Sequence, residues 1–290
     1  MSTMELPAGA PEEVVTHALR RDLDLAPFGV PGKLAIITLD NGLDYTRPST
    51  FGPQGLRELG KVLDEAKADS GVVGVAITGK PYILAAGADL SAVSFVTETA
   101  QASAISKLGH DIFRKLGELG KPTFTFINGL ALGGGLEIAL HSDYRTIANS
   151  ATIGFPEVFL GLVPGWGGSQ LLPRLIGPEK AVQVVILNAL NNNKMLSAPE
   201  AFESGIADAL LAPADFLEKS VEFAAEVISG RKKITRTDHT KDVTPWDAAI
   251  AVGKAAAAKK YIGADIAAPR RALELIALSR TASRVEGFDA

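Results

Sequence analysis

The chain has 290 residues, of which 47% are apolar and 21% charged, with a formal net charge of -4 and no cysteine. That length buries a full core in one large domain or two unequal ones. The missing thiols exclude disulfides, thiolate nucleophiles and zinc–sulfur sites, and the acidic balance, with Arg231-Lys232-Lys233 as the one basic cluster, excludes an ordinary nucleic-acid footprint. No run of about 18 apolar residues exists that would span a bilayer. Glu5, Glu12 and Glu13 stand where a secretion signal would be cationic. The expectation is a soluble cytoplasmic protein with neither nucleic acid nor membrane as a partner.

Residues 1–31 read as an N-terminal extension in which Glu12 to Leu25 is predicted as a short helix, before Pro27 and Pro31 break the path. Lys33 to Leu39, rich in β-branched residues, reads as the first strand, and Asn41-Gly42 as a turn. Leu56, Leu59, Val62, Leu63 and Ala66 recur at helical spacing between Pro53 and Asp69. Val72 to Thr78 is a buried-strand run closed by Gly79-Lys80-Pro81. The alternation then repeats: a helix over 100–119, a strand from Pro122 to Ile127, a helix from the glycine run to His141, and a strand from Tyr144 to Ala148. Strand and helix alternating in this way predict an α/β architecture.

Past Gly161 the pattern changes. Pro164 to Gly168 reads as a loop, and helices dominate from Leu171 onward. Leu217, Val221, Ala224, Ala225 and Ile228 mark one helical face, and Ala248–Lys260 and Ala272–Ser283 are further helices. Asn191-Asn192-Asn193 reads as a loop, and the polar stretch from Arg231 to Thr244 as a mobile linker. The expected division is an extension (1–31), a catalytic core (32–230) and a helical C-terminal region (231–290).

Three short segments carry chemistry. Gly133-Gly134-Gly135 opens a helix with its first amides bare, since no Cβ shields them and no intrahelical acceptor reaches them. The helix dipole adds positive potential there, so a developing oxyanion would be stabilised. Ala85-Ala86-Gly87-Ala88-Asp89 is a small-residue loop whose Ala88 N–H offers a second donor. Glu137 sits among Leu136, Ile138, Ala139 and Leu140, and Glu157 between Phe155-Pro156 and Val158-Phe159-Leu160. Two acids in apolar surroundings can have their pKa values driven apart into one acid and one base. Competing signatures fail. Gly74 to Lys80 lacks the Ser or Thr of a phosphate loop, no G-x-G-x-x-G occurs, and His17, His110, His141 and His239 have no metal-ligand spacing, so no metal is expected.

Taken together, the stretch from Asn128 through Gly133-Gly134-Gly135-Leu136-Glu137 to Leu140, followed by Gly154-Phe155-Pro156-Glu157 to Gly165, resembles the crotonase (enoyl-CoA hydratase/isomerase) superfamily. Leu171 to Gly177 looks most like the hydratase domain of multifunctional fatty-acid-oxidation proteins. The resemblance implies a spiral of β-β-α turns with a C-terminal helical region that usually builds trimers. It implies acyl-CoA substrates and no cofactor beyond the coenzyme A of the substrate itself. By matched position, the N–H groups of Ala88 and Gly134 would hold the thioester oxygen. Glu137 would activate water and Glu157 would protonate Cα. Ala86, Gly87, Asp89, Leu90 and Gly133 would line the CoA or substrate path, and Phe159 and Trp166 would wall the acyl pocket. Retention of both glutamates implies enoyl-CoA hydration. The alternatives are an isomerase or acyl-CoA hydrolase on the same fold, or a non-catalytic scaffold. The resemblance further implies a trimer-based homo-oligomer or a place in a fatty-acid-oxidation multienzyme.

Overall fold

A computed structural model describes residues 11–91 and 95–290. The first ten residues of the expected extension therefore lie outside it. In chain order the strands are β1 (His17–Asp24), β2 (Lys33–Asp40), β3 (Val72–Gly79), β4 (Ile83–Ala85), β5 (Thr123–Ile127), β6 (Leu130–Leu132), β7 (Tyr144–Ala148), β8 (Thr152–Gly154), β9 (Leu196–Ser197) and β10 (Ala209–Leu211). They form a larger sheet in the order β1-β2-β3-β5-β7-β10 and a smaller one in the order β4-β6-β8-β9. In the larger sheet only β1 runs antiparallel to its neighbour.

The spiral follows from the way each turn divides between the sheets. β3 enters the larger sheet and β4 the smaller, then helix α2 (Thr99–Gly117) returns. β5 and β6 repeat the step before α3 (Gly134–His141), and β7 and β8 repeat it before α4 (Gly168–Ile176). The expected β-β-α winding is present. Its physical basis is the burial of β3 and β5, whose Val75, Ala76, Ile77, Phe124 and Phe126 are fully enclosed between the layers. Helix α1 (Pro53–Ala68) turns Leu56, Leu59, Leu63 and Ala66 inward, as its spacing predicts.

The extension departs from expectation. Residues 17–24 form β1 rather than part of a helix, pairing residue for residue with β2 from His17↔Asp40 to Asp24↔Lys33. An open edge of eight residues on β2 offers a complete antiparallel ladder, which outweighs the modest helical character of 12–25. Just ahead of β1, the Glu13 carboxylate accepts the N–H groups of Gln54 and Gly55. It caps α1 from outside, because the N-cap residue there is Gly52, which has no side chain to do so.

Beyond α4 the chain is largely helical. α5 (Pro178–Val182) passes through a π-helical stretch, Gln183–Leu187, into α6 (Asn188–Leu190). It is followed by α7 (Ala198–Ser204), α8 (Phe216–Ile228), α9 (Thr244–Lys260), α10 (Ala267–Ser279) and α11 (Arg284–Asp289). On α8 the buried face holds Phe216, Ser220, Val221, Phe223, Ala224 and Ala225, so Leu217 is corrected to an exposed position. The polar stretch 231–243 is irregular, as expected, yet it is anchored. Arg236 pairs with Asp208 and donates to the Asp143 carbonyl, and Arg231 donates to the Phe28 carbonyl. No helix among the described residues is long and apolar enough to cross a membrane.

Candidate active site

Glu137 lies in the first turn of α3, on a helix whose every residue is buried. Its Oε1 accepts two backbone N–H groups, Trp166 at 2.7 Å and Gly168 at 2.9 Å. Burial raises its pKa to about 7, against the lowering effect of those two hydrogen bonds. The carboxylate is thus oriented by peptide groups, and half of it is ionised near neutrality.

Glu157 follows β8 at the end of Gly154-Phe155-Pro156 and is also buried. β8 pairs in parallel with β6 through Leu132↔Gly154, which brings Glu157 to the start of α3. The Gly133 N–H donates to the Gly154 carbonyl at 3.0 Å and fixes that approach. A Cβ on Gly133 would stand 2.6 Å from Glu157 Oε1, and Gly133 itself has φ +51°. Both the backbone conformation and the carboxyl group demand glycine there. Glu157 Oε2 is buried without a partner among the described residues. Burial, and then the charge of Glu137, push its pKa well above the ordinary carboxylic value. The pair is therefore unequal in its surroundings: two N–H groups favour the ionised form of Glu137, whereas burial and the neighbouring charge favour the protonated form of Glu157.

The third component is the Ala85–Asp89 loop. Phe51 and Ala88 form a parallel bridge in which the Phe51 N–H donates to the Gly87 carbonyl and the Asp89 N–H to the Phe51 carbonyl. In such a bridge Ala88 turns its own N–H to the opposite side of the strand. Gly134, first residue of α3, has an N–H that no carbonyl of its own helix can reach. The two segments touch, since a Cβ on Gly134 would lie 3.4 Å from the Gly87 Cα. The structure thus brings Gly87, Gly133, Gly134, Glu137 and Glu157 into one cluster. The Ala86 N–H is used by the Ser49 carbonyl, the Asp89 carboxylate accepts the Ser91 N–H, and Leu90 is exposed.

The two aromatic wall candidates separate. Trp166 is buried beside Gly134 and Gly109 and packs edge-on against Phe51 and Phe113, at centroid distances of 6.2 and 5.3 Å. Phe159 is 57% exposed, as are Leu160 and Leu162 to similar degrees, so it is not part of this buried cluster. A cavity of about 360 Å³ lies beyond the 163–170 segment, lined by Ser106, His110, Gln170 and Phe288 among others. Sequence reasoning missed the Trp166 and Gly168 N–H groups as partners of Glu137, because backbone donors 29 and 31 residues away leave no side-chain signal.

Packing at the glycines makes a stability prediction. A Cβ on Gly135 would meet the Ala85 carbonyl oxygen at 2.0 Å, a backbone atom that cannot swing away. Gly135→Ala is expected to lower unfolding stability by about 3 kcal/mol, the upper end of ordinary overpacking. Urea midpoints of the two proteins measure this, and an unchanged midpoint would contradict so close an approach of α3 to β4.

Known proteins share this arrangement of elements. A family model described as enoyl-CoA hydratase/isomerase matches residues 32–249. The chain is 37% identical over 197 residues to the fatty acid oxidation complex subunit alpha of Pseudomonas syringae pv. tomato. That match covers 67% of this chain but only 27% of the relative, so the chain spans about a quarter of the length of the curated relatives it matches. Among solved structures, an enoyl-CoA hydratase from Bacillus anthracis has a TM-score of 0.61 at 27% identity, covering 89% of this chain and 91% of that one. DspI of Pseudomonas aeruginosa, at 24% identity, shares the fold with a TM-score of 0.63 over 78% of this chain and 84% of its own. By its sequence match, its winding and its pattern of helices, the chain belongs to the enoyl-CoA hydratase/isomerase family, the crotonases.

Proposed function

We propose that the protein is an enoyl-CoA hydratase that adds water syn across a 2-trans-enoyl-CoA to give a 3-hydroxyacyl-CoA. The observation that carries this reading is the unequal buried pair. One carboxyl group, that of Glu137, is braced by two N–H groups and ionises near neutrality, and the second, that of Glu157, is buried with one oxygen unpartnered among the described residues, so that its protonated form is favoured. Water between them loses a proton to Glu137 as its oxygen bonds to Cβ. The π electrons of the double bond move toward the thioester, and the enolate oxygen takes hydrogen bonds from the Ala88 and Gly134 N–H groups. Glu157 then delivers its proton to Cα, and exchange through the next water returns the two acids to their starting states.

No cofactor is needed for this sequence of proton transfers, because the coenzyme A belongs to the substrate. Similarity to a subunit of a fatty acid oxidation complex supports acyl-CoA as the substrate class and a place in a multienzyme; a cytoplasmic location, and a trimer-based assembly as the alternative, belong to the same proposal. In this reading residues 32–230 are the catalytic core, with the extension and the helical 231–290 region attached to it. The decisive assay adds crotonyl-CoA and follows the conjugated thioester absorbance. The expected result is a loss of absorbance that yields 3-hydroxybutyryl-CoA. Turnover of a 3-enoyl-CoA without hydration, or release of free thiol, would instead establish an isomerase or a hydrolase.

A further inference from the structure

His141 stands four residues after Glu137, on the same face of α3. Both side chains reach the same short segment. Of three successive peptide units, the outer two point the Trp166 and Gly168 N–H groups at Glu137 Oε1. The middle one points its carbonyl, that of Trp166, at His141 Nε2, 2.8 Å away. A carbonyl only accepts, so Nε2 carries the hydrogen and donates it. Gly167, between the two donors, has φ +117°, and a Cβ there would lie 2.6 Å from His141 Nε2. Only glycine lets the peptide turn in this way against the imidazole.

We propose that His141 is a positioning residue for the base: it anchors the Trp166–Gly167 peptide so that the N–H groups on either side stay aimed at the Glu137 carboxylate. This rests on the hydratase reading for its kinetic consequence, but the brace itself does not. The imidazole is held by rings on three sides, Phe113, His110 and Phe288, at centroid distances of 6.1, 6.2 and 5.5 Å. Burial holds its pKa down at about 3, so it stays neutral and takes no part in proton transfer at working pH. Without its N–H, the buried Trp166 carbonyl would have to find another donor or rotate the peptide. Rotation would withdraw the N–H groups that hold the base.

Two variants separate the donor from the ring. His141→Phe keeps an aromatic ring and loses the N–H. His141→Gln loses the ring but carries an amide N–H the same number of bonds from the backbone. For His141→Phe the expected loss in kcat on crotonyl-CoA is about 10-fold or more, with KM nearly unchanged. The acid limb of its kcat/KM profile should move to higher pH, because slackened N–H bonds no longer lower the Glu137 pKa. The other titratable and charged groups that face this pair are Glu157, His110 and Arg114 of α2, and Arg284 of α11, and both variants leave them in place.

Hydrogen exchange gives a readout independent of catalysis: the Trp166 and Gly168 amides should lose protection in His141→Phe and regain it in His141→Gln. If His141→Phe fails to fold, His141→Gln against His141→Asn replaces it. The Asn amide stops one bond short, so Gln should be protected and active and Asn neither. Lost protection in an enzyme whose wild type hydrates no enoyl-CoA would uphold the brace and refute the reaction. Unchanged exchange and pH profile in His141→Phe, or His141→Gln as impaired as His141→Phe, would overturn the brace.

Discussion

Glu137→Gln is expected to lower kcat for crotonyl-CoA hydration by about 10²- to 10⁴-fold, the scale of a lost general base. The substitution removes basicity with little change in shape. The Gln carbonyl oxygen can still accept the Trp166 and Gly168 N–H groups that now hold Oε1, so the loop and α3 should keep their positions. What disappears is the lone pair that receives a proton from water. Affinity for coenzyme A should change little, since the reacting end of the substrate lies far from its nucleotide. The measurement is the rate of absorbance loss at the thioester band, alongside a thermal melt to confirm that the fold is intact. Wild-type turnover in the variant would remove Glu137 from the mechanism.

The parts of the fold legible in the sequence are those whose signal is local. β2 and β3 are largely apolar runs, β5 and β7 are short β-branched and aromatic segments, and α1 shows its buried stripe as spacing, so each is found within a residue or two of its predicted ends. β1 was not legible because its strand character comes from the partner edge of β2 and not from its own pattern. At the site, the two glutamates were conspicuous as acids in apolar surroundings, and both are buried. Their inequality was only half legible. Apolar neighbours signal burial, but the N–H groups that favour the ionised form of Glu137 come from a loop folded back across the helix. His141 has no metal-ligand spacing to single it out among the four histidines. Its offset of four from Glu137 was the available clue, and the Trp166 carbonyl gives it meaning. Phe159, close to Glu157 in sequence, is largely exposed in the fold, which its apolar neighbours in the sequence do not signal.

Glu157→Gln should produce two effects of opposite sign. Hydration should again fall by about 10²- to 10⁴-fold, because an amide cannot give Cα its proton. Stability at alkaline pH should rise. The folded protein holds the Glu157 proton well above the ordinary glutamate value of 4.5, whereas the unfolded chain releases it near that value. Below this pH both states are protonated and the group is neutral in its effect. Above it the folded state binds more protons, so stability falls with rising pH until the folded carboxyl itself ionises. Glutamine has no such proton, and its stability curve lacks that decline. The melting temperatures of variant and wild type should therefore lie close together near pH 4.5 and diverge toward pH 8, by roughly 2–4 °C for each kcal/mol recovered. Glu137 titrates in the same direction in both proteins and cancels in the comparison, apart from the relief it feels when its neighbour can no longer become charged. A gap of constant size across that range would mean that Glu157 is not an acid held protonated by burial, and the division of labour between the two carboxyl groups would have to be abandoned.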